Sequence, residues 1–222
     1  MSEVKVHQVE TDPVANLQSW WQKNQKPLII VVAVVVIAVG GWYAYKNFVS
    51  GPQEDKANQA IYGAEKYFRQ DSFALALNGD GPHKGLLYVI NNYGSTKAGN
   101  LAKYYAGISY LKTGDFNKAV KYLGEFSTDA KQIQMMAYGA LGDAYSELNK
   151  NEDAITNYKK AAETFDADEL NASEYLFRAG LLSETAGKTK EAVDIYKQLK
   201  DKFPNTIRGR EAEKYLNRLS VE

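Results

Sequence analysis

The sequence predicts an all-α protein: one apolar N-terminal helix, then about four helix pairs stacked in a superhelix and closed by a C-terminal helix. Three observations predict it. Leu28 to Tyr45 is a run of 18 residues without charge or proline. Small residues recur twelve apart in three later segments, at 107 and 119, 142 and 154, and 180 and 192. Each of those segments carries two apolar patterns of helical period with a turn between them.

The apolar run comes first. At about 1.5 Å per residue it spans about 27 Å as a helix. A bilayer core of about 30 Å is crossed once Tyr43, Tyr45 and the flanking lysine stems reach the interface. A soluble helix apolar on every face would need burial on every face, which a chain of this size rarely provides. A cleaved signal peptide fits poorly. The run is too long for a typical h-region, and Trp42, Tyr43, Tyr45 and Phe48 stand where a small-residue cleavage site would lie. The reading is an uncleaved transmembrane helix over residues 28–48.

Its flanks set the orientation. Lys23 and Lys26 precede the run, while Lys46 stands alone after it, followed by Glu54 and Asp55. The positive-inside rule then places residues 1–27 in the cytoplasm and the rest of the chain outside, a single-pass arrangement. Trp20 and Trp21 suit the headgroup layer, where a ring is half buried and its N–H stays wet. Val14, Leu17 and Trp21 share one helical face, so residues 14–25 read either as an interfacial helix or as a tail with two anchoring indoles. Gly40 and Gly41 leave room for a close helix partner, without the GxxxG spacing.

Composition excludes several chemistries. With 27 basic and 27 acidic residues and no basic stripe, nothing points to nucleic acid. The absence of cysteine removes thiol nucleophiles, disulfides and thiolate metal sites, and fits an extracytoplasmic compartment. The two histidines are His7 in the tail and His83 in the loop Gly79-Asp80-Gly81-Pro82-His83-Lys84-Gly85. That loop reads as a surface turn and lacks the GxxxxGK[ST] spacing of a phosphate cradle. No catalytic residue, metal, cofactor or small-molecule substrate is expected.

The repeats fill the remainder. Gly107, Tyr110, Gly114, Ala119, Leu123 and Phe126 form one segment. Gly142, Tyr145, Ala154, Tyr158 and Ala161 form the next, and Gly180, Gly187, Ala192, Tyr196, Leu199 and Pro204 the third. This resembles the tetratricopeptide (TPR) signature, in which small residues let two helices cross closely and a large one fills the gap beside them. The family's tryptophan position holds Lys103, Tyr138 and Leu176 instead. Offsets between equivalent glycines are 142−107 = 35 and 180−142 = 38, near the repeat length of about 34. Gly114 and Gly187 suit helix C-termini, and Asp115 and Thr189 suit N-caps of the second helices. Residues 49–97 read as a degenerate first repeat holding the Gly-rich loop, 98–205 as the clear repeats, and 206–222 as a capping helix with charged outer faces.

Stacked helix pairs of this kind make a groove lined by their first helices. The register puts Tyr104, Ile108, Leu111, Phe177 and Leu181 on it, apolar where solvent exposure is expected. Either they are an interaction site or a flanking helix covers them.

The whole chain also resembles the YfgM-like family of TPR ancillary subunits of the bacterial Sec translocon. The residues that carry this are Trp20-Trp21 with Asn24, the apolar span, Gly41-Trp42, and Gly94-Ser95-Thr96-Lys97-Ala98-Gly99-Asn100-Leu101-Ala102 opening a helix ahead of the repeats. The resemblance implies an inner-membrane protein with a periplasmic repeat domain. It implies association with translocon subunits and with a periplasmic chaperone or prolyl isomerase. The alternative is a TPR adaptor of another envelope machine, for secretion or outer-membrane assembly.

Overall fold

The computed structural model describes residues 13–219. Residues 1–12 of the tail and 220–222 of the capping segment lie outside the described residues. The chain divides after Pro52 into two compact units.

The first unit is built on one helix, α1 (Pro13–Tyr45), followed by a π-helical turn over Lys46–Ser50. It is the one helix among the described residues long and apolar enough to cross a membrane. Residues 14–25 do not form a separate element, because α1 runs through Pro27. Proline removes the hydrogen bond to the carbonyl four residues back, which is that of Lys23. Nearby side chains bond the same stretch of backbone: Asn24 donates to the Trp20 carbonyl at 2.7 Å. Trp20, Trp21 and Trp42 are exposed, and nothing lies within 4 Å of a Cβ built on Gly40 or Gly41. Lys46 lies over the Trp42 ring, 5.1 Å from its centroid.

The second unit is all helix: α2 (Gly51–Arg69), α3 (Phe73–Asn78), α4 (Leu86–Tyr93), α5 (Lys97–Thr113), α6 (Phe116–Gly124), α7 (Lys131–Glu147), α8 (Asn151–Thr164), α9 (Glu169–Thr185), α10 (Thr189–Lys202) and α11 (Ile207–Leu219). No strand occurs among the described residues, only an isolated bridge between Gly79 and Lys84 across the Gly-rich loop. From α3 onward each helix packs on the next, and α5 also touches α7 as α9 touches α11. The Gly-rich loop lies between the short α3 and α4.

The chain reverses in the same way after α5, α7 and α9. Gly114, Asn149 and Gly187 take φ of 83°, 57° and 75°. The next residue then bonds back across the helix end: Asp115 N–H to Tyr110 O, Lys150 N–H to Tyr145 O, and Lys188 N–H to Ser183 O, at 2.9, 2.9 and 2.8 Å. This is the Schellman closure, and it needs a residue that tolerates the left-handed region, glycine best and asparagine next. The second helices start differently from one another. Asp115 caps α6 by accepting from the Lys118 N–H at 3.2 Å. Thr189 does not cap α10: Lys188 occupies that position without a side-chain capping bond, and Thr189 is the first helical residue. The helix starts one residue earlier because the closure at Gly187 leaves Lys188 already at the boundary.

Close crossing within each pair depends on the small residues. A Cβ on Gly107 would overlap the Leu123 side chain. One on Gly142 would sit 2.5 Å from the Tyr158 ring, and one on Gly180 2.6 Å from the Tyr196 ring. Ala119, Ala154 and Ala192 are fully buried. Tyr110 is buried and stacks on Tyr122 at 5.6 Å, while Tyr145 is half-buried and touches both halves of the interior. One apolar cluster runs from Ala57 in α2 to Ala144 in α7, and a second from Ala154 in α8 to Leu219 in α11. Pro204 sits exposed between α10 and α11, where a helix cannot continue through it.

Candidate functional site

The face shared by the first helices of the pairs holds a groove of about 540 Å³. α5 supplies Leu101, Tyr104, Tyr105, Ile108, Leu111 and Lys112. α7 supplies Ile133, Met136, Ala140 and Asp143; Phe68 comes from α2 and Tyr175 from α9. The lining is mostly apolar, and Met136 is 44% exposed, so this surface is open to solvent. The aromatic wall is continuous. Phe68 lies 4.7 Å from Tyr105 between ring centroids, Tyr105 5.7 Å from Tyr104, and Tyr104 5.2 Å from Phe126. Burial, with the Tyr175 and Tyr105 hydroxyls nearby, pushes the Tyr104 phenol up to about 12. It remains neutral and a donor at any physiological pH.

Three of the five expected groove residues do not line it as exposed positions. Tyr104 is only 9% exposed, because Phe126 and Tyr105 pack around its ring and leave one edge on the groove. Phe177 is 4% exposed and absent from the groove altogether. α11 covers it: the Arg208 guanidinium lies 4.1 Å from its ring centroid and the Tyr215 ring 5.2 Å. Leu181 is half-buried against the same C-terminal cluster. Ile108 and Leu111 do line the groove. Nine of its twelve lining residues fall outside the expected set, Phe68, Tyr105, Ile133 and Tyr175 among them. The Tyr175 ring lies over Gly139 of α7.

Beyond Tyr175 the same face changes character. Arg178 bonds Asp143 at 2.9 Å and Glu174 at 3.1 Å, and Arg208 bonds Glu174 at 2.8 Å and Glu211 at 3.1 Å. Arg218 bonds Glu184 at 2.6 Å. These pairs join α7 to α9 and α9 to α11. The buried tyrosines of the second helices donate to the same carboxylates, Tyr158 to Asp143 at 2.8 Å and Tyr196 to Glu184 at 3.1 Å. Burial, then the adjacent anion, raises both phenols above the ordinary range. Burial alone would raise Glu174, but the bonds from Arg208 and Arg178 outweigh it and hold the carboxyl low. Two of the cross-helix pairs, 174 with 208 and 184 with 218, are 34 residues apart in sequence. That offset between opposite charges was readable in the sequence.

Two other features carry less. His83 donates its backbone N–H to Asp80 at 2.8 Å and approaches it with Nδ1 at 3.0 Å, while the Tyr67 hydroxyl donates to the same carboxylate at 2.6 Å. The hydroxyl and the His83 bonds hold the Asp80 carboxyl well below the usual range. The cluster pins the Gly-rich loop to α2, with His83 seated against Gly63. A shallow depression beside α10 is lined by Lys159, Lys188 and Glu191, whose charges already pair with one another and with Glu152. No group of three His, Cys, Asp or Glu side chains that could hold a metal occurs among the described residues.

Comparison with known families now decides what the stacked pairs are. A tetratricopeptide repeat model matches residues 101–130 and 174–206, and a second tetratricopeptide repeat model matches 137–165. The chain carries tetratricopeptide repeats. The matched stretches begin in α5 and end just before α11, so the groove is built largely from TPR first helices. A search of curated proteins finds no match. TPR repeats are protein-binding scaffolds and generally not catalytic.

Proposed function

We propose that the chain is a single-pass scaffold of the bacterial inner membrane, with residues 1–27 in the cytoplasm and the TPR unit in the periplasm. In this reading it stands beside the Sec translocon and recruits a periplasmic chaperone or prolyl isomerase to newly exported chains. The observation that carries the scaffold reading is the open apolar groove between α5 and α7 on a TPR face. Its place beside the translocon is supported by the resemblance of Trp20, Trp21, Asn24, Gly41 and Trp42 to that family's membrane stretch. The lysine bias around α1 supports the orientation.

In-cell photocrosslinking tests it. A crosslinker at Trp21 is expected to capture translocon subunits, and one at Met136 a soluble periplasmic protein. Exchange of residues 14–45 for an unrelated anchor is expected to abolish the first and retain the second. Products from secretion or outer-membrane assembly machines, with none from the translocon, would replace this reading by the adaptor alternative. The cysteine-free chain gives a clean orientation test. An impermeant maleimide applied to spheroplasts is expected to label Asn171→Cys and spare Glu3→Cys.

A further inference from the structure

The groove ends in an unmatched charge. Lys112 is exposed at the meeting of the apolar groove and a second, polar depression that contains Ser146 and Glu147. Of the two charged residues that line the apolar groove, Lys112 and Asp143, Asp143 is held by Arg178 and Tyr158, while Glu147 lines only the polar depression. Lys112 has no hydrogen-bond or ion-pair partner among the described residues. Leading up to it, Leu101, Ile108 and Leu111 face Ile133 and Met136 across the groove. From position 101 to 111 α5 advances about 15 Å, near three helical turns. A trough of that length between two helices takes an amphipathic helix by anchors spaced three, four and seven residues apart.

We propose that the occupant is a helical segment of a partner protein with an aliphatic stripe on one face and a single carboxylate at the end that reaches Lys112. Charge complementarity selects that end group. The cation favours an anion, while Asp143 and Glu147 beside it disfavour the greater charge of a phosphate. The aliphatic stripe follows from the apolar walls, whose exposure ends when such a face is buried. This rests on the scaffold reading for the nature of the site, and is independent of which membrane machine stands next to the anchor.

The test uses the full chain in lipid nanodiscs, which leave the groove free of detergent. The probes are fluorescent synthetic helices of leucine and alanine with one terminal glutamate, and counterparts with lysine there, each made in both placements. Fluorescence anisotropy is expected to show one glutamate helix binding about fivefold tighter than its lysine counterpart, the scale of one partly exposed attraction exchanged for a repulsion. Lys112→Glu is expected to invert that order. Met136→Asp is expected to weaken both by about tenfold, with an unchanged far-UV spectrum. Equal affinity for the two helices, a preference that survives Lys112→Glu, or no binding at all overturns the proposal. Discrimination between the helices without translocon crosslinks from Trp21 would leave the groove assignment standing and remove the location.

Discussion

The two halves of the TPR face use the same repeat positions differently. Tyr104 and Phe177 are equivalent, as are Ile108 and Leu181. In the N-terminal half these positions edge an open groove. In the C-terminal half α11 lies over them, and an arginine ladder replaces apolar lining with ion pairs. The difference lies in the helix that packs after each pair. α5 and α7 carry apolar residues at the contact face. Glu174 instead stands where Leu101 stands two repeats earlier, and Arg208 reaches it from α11. A closed face stabilises the stack, and an open one leaves surface for a partner. Openness is thus a property of the neighbouring helix more than of the groove residue.

The largest effect that sharpens this contrast comes from truncating one groove-register residue in each half. Phe177→Ala removes a buried ring beneath α11 and is expected to cost about 4 kcal/mol. Met136→Ala removes a side chain already 44% exposed and is expected to cost under about 1 kcal/mol. Urea denaturation of the two variants measures both. Equal losses would mean that the N-terminal face is as closed as the other and would break the comparison.

Next in size is the ladder itself. Glu174 and its two arginines are about a third or more exposed, so these pairs are screened, and Glu174→Gln is expected to cost about 1 kcal/mol near neutral pH. The pH dependence has a definite sign. Glu174 is lowered in the folded state, so its contribution is present above the ordinary glutamate value and fades as pH falls through the folded one. Tyr158 and Tyr196 are raised, so theirs is present below the ordinary phenol value and fades as pH rises beyond it. The urea midpoint is expected to decline on both flanks of a neutral plateau. Glu174→Gln should reduce the acid decline, and Tyr196→Phe the alkaline one. An acid decline unaltered by Glu174→Gln would show that the ladder does not hold α9 to α11.

Much of the fold was legible in the sequence because it rests on local rules. A charge-free run long enough to span a bilayer, and small residues twelve apart, need no knowledge of distant contacts. The Gly142–Tyr158 and Gly180–Tyr196 contacts follow from that spacing. The groove was less legible. Its boundary depends on where α11 docks and on Tyr175 reaching over Gly139, and both are contacts between repeats. Registers assign faces within a repeat and are silent on which face a neighbour occupies. The cap at Thr189 failed for a local reason: threonine is a good N-cap by type, but the Gly187 closure shifts the boundary onto Lys188.

That last point gives the smallest and most direct comparison between the halves. α6 and α10 are equivalent second helices, each reached through a Schellman closure. In α6 the Asp115 carboxylate accepts an otherwise unpaired N–H of the first turn, and Lys118 also bonds it at 2.8 Å. The Lys118 bonds hold that carboxyl low, so the cap keeps its charge across the neutral range. Asp115→Ala is therefore expected to cost about 1 kcal/mol. In α10 the Thr189 hydroxyl makes no capping bond, and alanine is the better helix former, so Thr189→Ala is expected to change stability by less than about 0.5 kcal/mol. Lys188→Asp would place an acceptor at the true cap but would break the Lys188 pairs with Glu152 and Glu191, so its gain should be smaller than the Asp115→Ala loss. Thermal melts of the three variants order them. A Thr189→Ala loss as large as that of Asp115→Ala would put the helix boundary back at Thr189 and remove the distinction between the starts of α6 and α10.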